Sequence, residues 1–422
     1  MKRWGFCALL WYICIMFVQP QNRFTFLWPL HIAELTFLVA FALHSYVCLR
    51  DGTPLVRPGP GTLLGITLLV LALLANYCTP FNSHPYWHPV MDGIFKNALL
   101  LVLIEAMCTD ERHVWAVEMA MLLSTLWWIK AGIRLSAAGA TAYGDRLMGG
   151  AASMIENPNG FAYSLCFFVP AYLYAFEHTR RPVFRWAFLA GALASVFVIF
   201  QTGSRTGLVT LLALAVAMIP HYRHIKWRNV LLCAVAVAFI IPFSGEGNIR
   251  RFKTIPESAA VFFGLKPAPE GPRNQDEQSS DERQAKNRDT WRLIKDYPLF
   301  GVGIAPDAEV YRKYPMATGQ VHCEILMAGR QMGFIGMTLY AGFIAFIWVS
   351  GWRIGRLYRD VPHLRDLGWL FRMQAFVFVV GGFFCPGAWH PIMLILAGSA
   401  SALVAMGRRR ATALPSPSPT PA

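Results

Sequence analysis

A short polar segment with a single charge separates two long apolar runs. The segment is 201–207, Q-T-G-S-R-T-G, and Arg205 is its charged residue. A guanidinium at the edge of an apolar layer either extends its head group toward water or binds an anion. Small residues surround Arg205, so that a ligand could approach the backbone closely. We interpret this segment as a candidate anion site, with an interfacial arginine as the alternative.

A histidine, His322, comes directly before a long apolar run at 325–350. Imidazole titrates near neutral pH, so His322 could act as a general base at the boundary of that run. A lone histidine at a helix start also commonly packs or caps the helix, and this alternative stays open. Arg330, two turns further on, either faces the same cavity or pairs with a carboxylate.

Several basic residues lie upstream of His322. Guanidinium groups bind phosphate in a bidentate manner, which makes Arg283 and Arg288 candidates for a phosphate site. Runs of charge are also typical of a solvated helix face, and we keep that interpretation for Lys286 and Lys295. The basic residues of this stretch are Arg283, Lys286, Arg288, Arg292 and Lys295.

The sequence offers no pattern for metal or nucleotide chemistry. Residues 19–23 contain no Asp or Glu, and D-x-D is absent from the segments assigned below to the outer side. A metal-dependent glycosyl transfer would need such carboxylates to hold Mg²⁺ or Mn²⁺. Walker, Rossmann and G-x-S-x-G patterns are absent. The nine cysteines lack metal-ligand spacing. We therefore predict a chain without cofactor or metal.

The composition indicates a membrane protein. Hydrophobic residues make up 55% of the 422 residues and charged residues only 15%, against about 25% charged in soluble proteins. A bilayer needs about 20 apolar residues per helix, and the chain is long enough for about twelve such helices. The predicted apolar runs are 4–18, 24–48, 61–78, 90–107, 114–133, 160–177, 183–201, 206–221, 229–244, 325–350, 368–384 and 390–406.

The loops between these runs alternate in charge. One set is rich in Arg and Lys, whereas the opposite short loops are nearly free of them, which is the positive-inside pattern. The formal net charge of +14 therefore reflects topology, and we predict no nucleic-acid partner. Both termini are predicted to be cytoplasmic. Arg205, Arg283, Arg288 and His322 all fall on the outer side.

The predicted division has four parts. Residues 1–244 hold spans one to nine, 245–324 form one large outer loop with short helices, 325–407 hold spans ten to twelve, and 408–422 form a disordered cytoplasmic tail. Within the outer loop, a polar stretch at 272–287 precedes a predicted short helix at 289–296, which ends at the Y-P-L-F-G-V-G sequence.

Four segments resemble the O-antigen ligase and polymerase superfamily of bacterial envelope enzymes. E-N-P-N-G-F-A at 156–162 is similar to the family's D/N-P-N-x-x-A, and 201–207 is similar to T-x-S-R-x-G. R-D-T-W at 288–291 with I-K-D-Y-P-L-F-G-V-G at 294–303 resembles R…W…I-x-D-x-P-x-x-G-x-G. The fourth segment begins with His322 and Cys323, continues with nine residues and ends at Gly333. It fits the family pattern H-[NSQ]-x9-G, except that Cys323 stands where the pattern has a polar residue.

The family arginine has two candidates in this chain. The neighbouring Trp291 favours Arg288, whereas the full family spacing counted back from the Tyr-Pro pair leads to Arg283. The resemblance implies a GT-C-like polytopic fold in the bacterial inner membrane with a periplasmic active site. It also implies a polysaccharide donor on undecaprenyl pyrophosphate, lipid A–core as acceptor, His322 as general base, and arginines that bind the pyrophosphate.

Other functions stay open from the sequence. An O-antigen polymerase would use the same lipid carrier, and a protein-directed oligosaccharyltransferase belongs to the same superfamily. A transporter or flippase would need ionisable residues along a path through the membrane. The candidates for such a path are Glu34, Asp92, Lys96, Glu105 and Glu118.

Overall fold

The computed structural model describes residues 2–57, 59–79, 81, 89–139, 146–148, 157–222, 245–262, 275–304, 308–315, 321–385 and 388–413. Within these ranges the chain is built from helices and contains no β-strand. The predicted all-α class is therefore confirmed.

The helices of the first half are α1 (Lys2–Val18), α2 (Ile32–Asp51), α3 (Pro60–Cys78), α4 (Pro89–Met107), α5 (Glu111–Ala137), α6 (Pro158–Cys166), α7 (Phe168–His178), α8 (Pro182–Gln201) and α9 (Arg205–Tyr222). The helices of the second half are α10 (Glu246–Lys253), α11 (Ile255–Phe262), α12 (Gln275–Asp296), α13 (Ala308–Lys313), α14 (Glu324–Leu357), α15 (Pro362–Gly381) and α16 (Pro391–Ala413).

Eight helices in the described ranges are long and apolar enough to cross a membrane, namely α1, α2, α3, α5, α8, α9, α14 and α16. They make the chain a polytopic membrane protein. The other predicted spans do not qualify by length and composition. Helix α4 carries Asp92, Lys96 and Glu105, and the 160–177 run is divided at Phe167 into two short helices. The predicted span at 229–244 lies outside the described residues, so that the number twelve stays a prediction.

The bundle is held together by close packing between helices of both halves of the chain. Helix α14 packs along α15 and α16, α16 packs on α4, and α6 lies between α8 and α9. Most of the buried apolar side chains form one cluster that joins these helices. Large apolar side chains of α2 and α3 remain exposed on the outside of the bundle, as expected for helices that face lipid.

The described parts of the segment that follows residue 244 contain four short or polar helices, α10 to α13. The predicted short helix at 289–296 is too short, because α12 already begins at Gln275. Good helix formers fill its polar part, and buried Leu293 and Ile294 attach its last turns to the bundle. A small separate cluster of Leu293, Val302, Val310 and Tyr314 stabilises the segment around them.

The last helix extends beyond the predicted boundary at residue 408. Helix α16 continues to Ala413, and Arg410 in its last turns donates to the Asp360 carboxylate at 2.6 Å between Nη2 and Oδ2. Arginines are good helix formers, and this contact connects the helix end to the loop before α15. Helix α16 therefore extends into the predicted tail, residues 414–422 lie outside the described ranges, and the division of the chain into four parts stays a prediction.

Candidate active site

The turn that carries Arg205 is fixed by hydrogen bonds from two sides. Ser204 donates to the Asn159 side chain at 2.9 Å, so that the 157–162 and 201–207 segments are joined directly. Asn157 caps α6 by accepting from the Gly160 amide at 2.7 Å. Asn159 and Ser204 lie 45 residues apart in the sequence. Their hydrogen bond joins the two segments into one structural unit.

A glycine in this turn allows α10 to pack closely against it. Gly203 has φ +58°, a conformation that glycine adopts without steric cost, and a Cβ there would collide with the Asn248 amide oxygen. Asn248 on α10 donates to the Gln201 carbonyl at 3.2 Å. Arg205 begins α9 and reaches the Thr254 hydroxyl at 3.4 Å. The arginine therefore lies at the junction between the bundle and the segment that follows residue 244.

The second part of the site is the start of α14. His322 lies two residues before the helix and is partly buried, and its Nδ1 atom has no hydrogen-bond partner among the described residues. Burial and the positive charges of Arg283 and Lys286 lower the pKa of His322 from 6.5 to about 4. The imidazole is therefore neutral at neutral pH and has a nitrogen available to accept a proton.

The two candidate arginines of α12 lie on different faces. Buried Thr290, Leu293 and Ile294 define the face that packs against the bundle. At about 100° per residue, Arg283 falls on that face and Arg288 falls nearly opposite to it. Arg288 is accordingly exposed. The positive charge of Arg283, in contrast, contributes to the lowered pKa of His322. The structure brings Arg283, and not Arg288, together with the histidine.

One buried cysteine connects the two parts of the site. The Cys385 thiol lies 3.8 Å from the Asn159 carbonyl, beside the turn that carries Arg205. Burial raises the pKa of the same thiol, the nearby Glu324 raises it further, and the positive charge of Arg283 lowers it. Arg205, Arg283 and His322 therefore belong to the same end of the bundle and surround the loop that follows α15.

The spacing between His322 and Gly333 has a structural reason. Helix α14 is kinked at Met332 and Gly333, and Gly333 has φ +64° and ψ −159°, which are not helical values. The turn after α12 fits into this kink, where the Phe334 amide donates to the Pro298 carbonyl at 2.8 Å and the Val302 amide donates to the Arg330 carbonyl at 2.9 Å. A Cβ on Gly333 would collide with the Pro298 carbonyl.

Cys323, which occupies the polar position of the family pattern, is buried directly before α14. It stands at the N-cap position but its side chain makes no capping hydrogen bond. Burial raises the pKa of its thiol. The helix start is held instead by the backbone, since the Glu324 amide donates to the Gly382 carbonyl at 2.8 Å.

The sequence analysis missed Glu324 as a member of this region. Its carboxylate is almost fully buried and accepts hydrogen bonds at Oε2 from the hydroxyls of Tyr163, at 3.1 Å, and Tyr340. Its Oε1 has no hydrogen-bond partner among the described residues. The sequence signal that could have found Glu324 is a carboxylate at the start of an apolar run. A carboxylate there is costly to bury without partners, so its presence indicates a specific role. Glu324 connects the helix that follows His322 to α6.

The other missed residue is Arg146, which donates to the Asn159 side chain at 2.9 Å. In the sequence it lies within a long segment between two apolar runs, where nothing distinguishes it from a solvated charge. Among the described residues, no group of three or more His, Cys, Asp or Glu side chains is arranged to hold a metal ion.

The fold and the site define an all-helical integral membrane protein with a cationic, histidine-containing site at one end of its bundle. The family model described as O-antigen ligase matches residues 190–341, a range that includes Arg205, Arg283, Arg288 and His322. Within this region the match confirms the resemblance to the O-antigen ligase superfamily that the sequence indicates. No curated protein matches the chain.

Proposed function

We propose that the protein is an O-antigen ligase, which transfers a polysaccharide from undecaprenyl pyrophosphate to the lipid A–core oligosaccharide in lipopolysaccharide biosynthesis. The observation that carries this proposal is the placement of half-buried His322 within the electrostatic reach of Arg283, at the end of the bundle that also holds Arg205. The family match at residues 190–341 supports the same class of reaction.

In this proposal His322 accepts the proton of the acceptor hydroxyl. The acceptor oxygen forms a bond to the anomeric carbon while the bond from that carbon to the pyrophosphate oxygen breaks. The bonding electrons leave on the pyrophosphate, so that its negative charge increases in the transition state. A single displacement inverts the anomeric centre.

Arg205 and Arg283 have the charge and the placement to stabilise the leaving pyrophosphate. Arg283 replaces Arg288 as our preferred family arginine, because Arg288 is exposed on the other face of α12. A pyrophosphate leaves without protonation, so that the reaction needs no carboxylic acid. The reaction in this proposal is also independent of metal.

The electrostatics of the site fit a doubly charged donor. The cations that lower the pKa of His322 in the free protein are neutralised when an anionic pyrophosphate binds between them. The pKa of His322 then rises, and the imidazole becomes a stronger base when the donor is present. Substrate binding would thus prepare the base for the proton transfer.

The location of the site is part of the same proposal. The positive-inside pattern supports a bacterial inner-membrane protein with cytoplasmic termini and a periplasmic site. The carrier lipid would then present its pyrophosphate at the membrane surface, at the depth of the turns that hold Arg205 and His322.

Complementation of a ligase-deficient strain tests the assignment. Expression of the chain should restore polysaccharide-capped lipid A–core on a gel, and His322→Ala should not, although the variant inserts at normal levels. Longer carrier-linked chains without capping would indicate the polymerase instead, and glycosylated protein would indicate the oligosaccharyltransferase. Unchanged lipopolysaccharide in the complemented strain, or full capping by His322→Ala, would contradict the proposal.

The residues that suggested a transporter make separate local contacts within or between helices. Lys96 on α4 pairs with Glu34 at 2.8 Å and with Asp92 at 2.7 Å. Glu105 accepts from the Ser401 hydroxyl, and Glu118 accepts from the Gln374 amide at 3.4 Å. Carboxylates with such local partners are typical of helix packing in membranes, and we therefore favour the transferase.

A further inference from the structure

A cavity lies at the far end of α14 from His322. It has a volume of about 280 Å³ and is formed between the last turns of α14, the first half of α15 and the end of α9. It is lined by His221, Gly351, Trp352, Gly355, Arg356, Arg365, Asp366, Trp369 and Arg372. Since α14 starts at Glu324 and rises about 1.5 Å per residue, Gly351 in the cavity lies roughly 40 Å along the kinked helix from its start beside His322.

Arg372 is the unusual member of this lining. It lies ten residues into α15, which corresponds to about 15 Å from the start of that helix. Its Nε atom is buried and has no hydrogen-bond partner among the described residues. A buried arginine nitrogen between the helices of a membrane protein is costly unless an anion accompanies it.

The neighbouring helix is shaped to admit this side chain. A Cβ on Gly351 would lie 2.9 Å from the Arg372 Cγ atom and 2.5 Å from the Gly368 carbonyl oxygen. The absence of a side chain at Gly351 therefore gives the stem of Arg372 its place between α14 and α15. Side chains on a helix tilt toward its N-terminus, so that the guanidinium is directed toward Arg365 and the cavity.

The charges around the cavity leave an excess of positive charge. The Asp366 carboxylate is shared, because it accepts from Arg365 at 2.9 Å and lies 3.3 Å from His178. The Arg356 guanidinium lies 4.6 Å from the ring centre of Trp352. Three arginines and one aspartate line the cavity, and together they carry a formal charge of +2.

The same residues combine charge with aromatic surface. Trp369 lies under the His221 ring, with 4.0 Å between ring centres, and His221 in turn lies 3.8 Å from the Glu177 carboxylate. Trp348, Val349 and Trp352 of α14 are exposed on the outside of the bundle. The cavity thus adjoins an aromatic and apolar surface of the kind found at a membrane interface.

Topology alone explains only part of this arrangement. A loop-facing arginine such as Arg353, which is exposed on α14, satisfies the positive-inside pattern without a binding partner. Arg372 does not, since it is directed between two helices and lies well inside α15. Basic pockets between membrane helices bind phosphate head groups of anionic lipids.

We propose that this cavity binds the phosphate group of an anionic phospholipid, with Arg372 and Arg356 as its main contacts. Phosphatidylglycerol and cardiolipin have the required chemistry, namely a phosphate diester on an acyl-chain anchor. The acyl chains would lie along the exposed surface of Trp348 and Trp352. The site is distinct from the transfer site and does not depend on the reaction proposed there.

The test uses the purified full-length protein in detergent micelles, with bound lipid counted by native mass spectrometry. Phosphatidylglycerol should bind more tightly than phosphatidylcholine. Arg372→Gln should lower the affinity for phosphatidylglycerol at least about tenfold, because a charge-assisted hydrogen bond is lost. Arg356→Gln, an exposed position that tolerates substitution, should weaken it as well. Arg353→Gln on the same helix is the matched control and should bind like the unmodified protein.

Inorganic phosphate supplies the second arm. If phosphate alone protects the protein from thermal unfolding, and Arg372→Gln removes this protection, the site is supported and its ligand is a soluble phosphate. Equal binding of phosphatidylglycerol and phosphatidylcholine, without protection by phosphate, would overturn the proposal. Equal loss of binding in Arg353→Gln and Arg372→Gln would also overturn it, because surface charge alone would then account for the effect.

Discussion

The acid side of the pH–rate profile should reveal the electrostatic state of His322. Burial together with Arg283 and Lys286 lowers its pKa from 6.5 to about 4 in the free protein. The imidazole must be neutral to accept a proton, so that kcat/KM falls only when the pH drops through the lowered pKa. At pH 5.5 a group with pKa 4 is about 97% neutral, whereas a group with pKa 6.5 is about 9% neutral.

The assay is the initial rate of transfer from a lipid-linked donor to lipid A–core in proteoliposomes between pH 4 and pH 8. The unmodified protein should keep nearly all of its kcat/KM at pH 5.5. The acid limb of kcat should lie at higher pH than that of kcat/KM, because the bound pyrophosphate raises the pKa of His322.

Two variants of α12 separate the causes. Arg283→Gln should move the acid limb of the kcat/KM profile to higher pH. The limb should stay below pH 6.5, because burial is the larger cause of the lowered pKa of His322. Arg288→Gln on the opposite face should leave the limb in place. Burial lowers the pKa of His390 to about 4 as well, and for His390 no charged neighbour contributes. A limb that moves in Arg283→Gln therefore belongs to His322.

The refuting results are specific. An acid limb at pH 6.5 in the unmodified protein would show that His322 is not buried among positive charges. Equal shifts in Arg283→Gln and Arg288→Gln would show that the helix face has been assigned wrongly. His322→Ala should lose about 10²–10⁴-fold in rate, the usual contribution of a general base, and a smaller loss would remove it from that role.

Three further predictions concern other parts of the site. Arg205→Lys should insert normally but lose most transfer activity, because an ammonium group keeps the charge without the bidentate fork; full capping of lipid A–core would contradict its role. Gly333→Ala should destabilise the protein by roughly 1–3 kcal/mol, because it strains a positive φ and presses on the Pro298 carbonyl. Gly342→Ala on the same helix has open space around its Cβ and should be neutral or stabilising in thermal unfolding. Addition of EDTA should leave the transfer rate unchanged, whereas a loss restored by Mg²⁺ or Mn²⁺ would show that a metal takes part.

The helices and the residue types of the site could be predicted from sequence because both leave local signals. Apolar runs identified the positions of the described helices outside residues 245–324, and the family patterns marked Arg205 and His322 as candidates. The end of α16 was misjudged for a tertiary reason, since the contact between Arg410 and Asp360 extends across two elements.

Our preference for Arg283 over Arg288 comes from the structure. Local context and motif spacing gave opposite answers, and the deciding fact was the face of α12 that packs against α14. That face is set by Thr290, Leu293 and Ile294, which lie beyond both arginines in the chain. Glu324 escaped the sequence analysis for a related reason, because its partners Tyr163 and Tyr340 lie on α6 and further along α14.

The kink at Gly333 divides α14 into two parts that can evolve separately. The part before the kink is attached to His322 and to the turn at Pro298, and one inserted residue there would rotate the histidine by about 100° relative to that turn. The part beyond the kink can change its length or tilt to suit a thicker or thinner bilayer without turning His322 away from Arg283. Insertions and deletions among related chains should therefore avoid the nine residues before Gly333 and occur more freely in the membrane-spanning remainder.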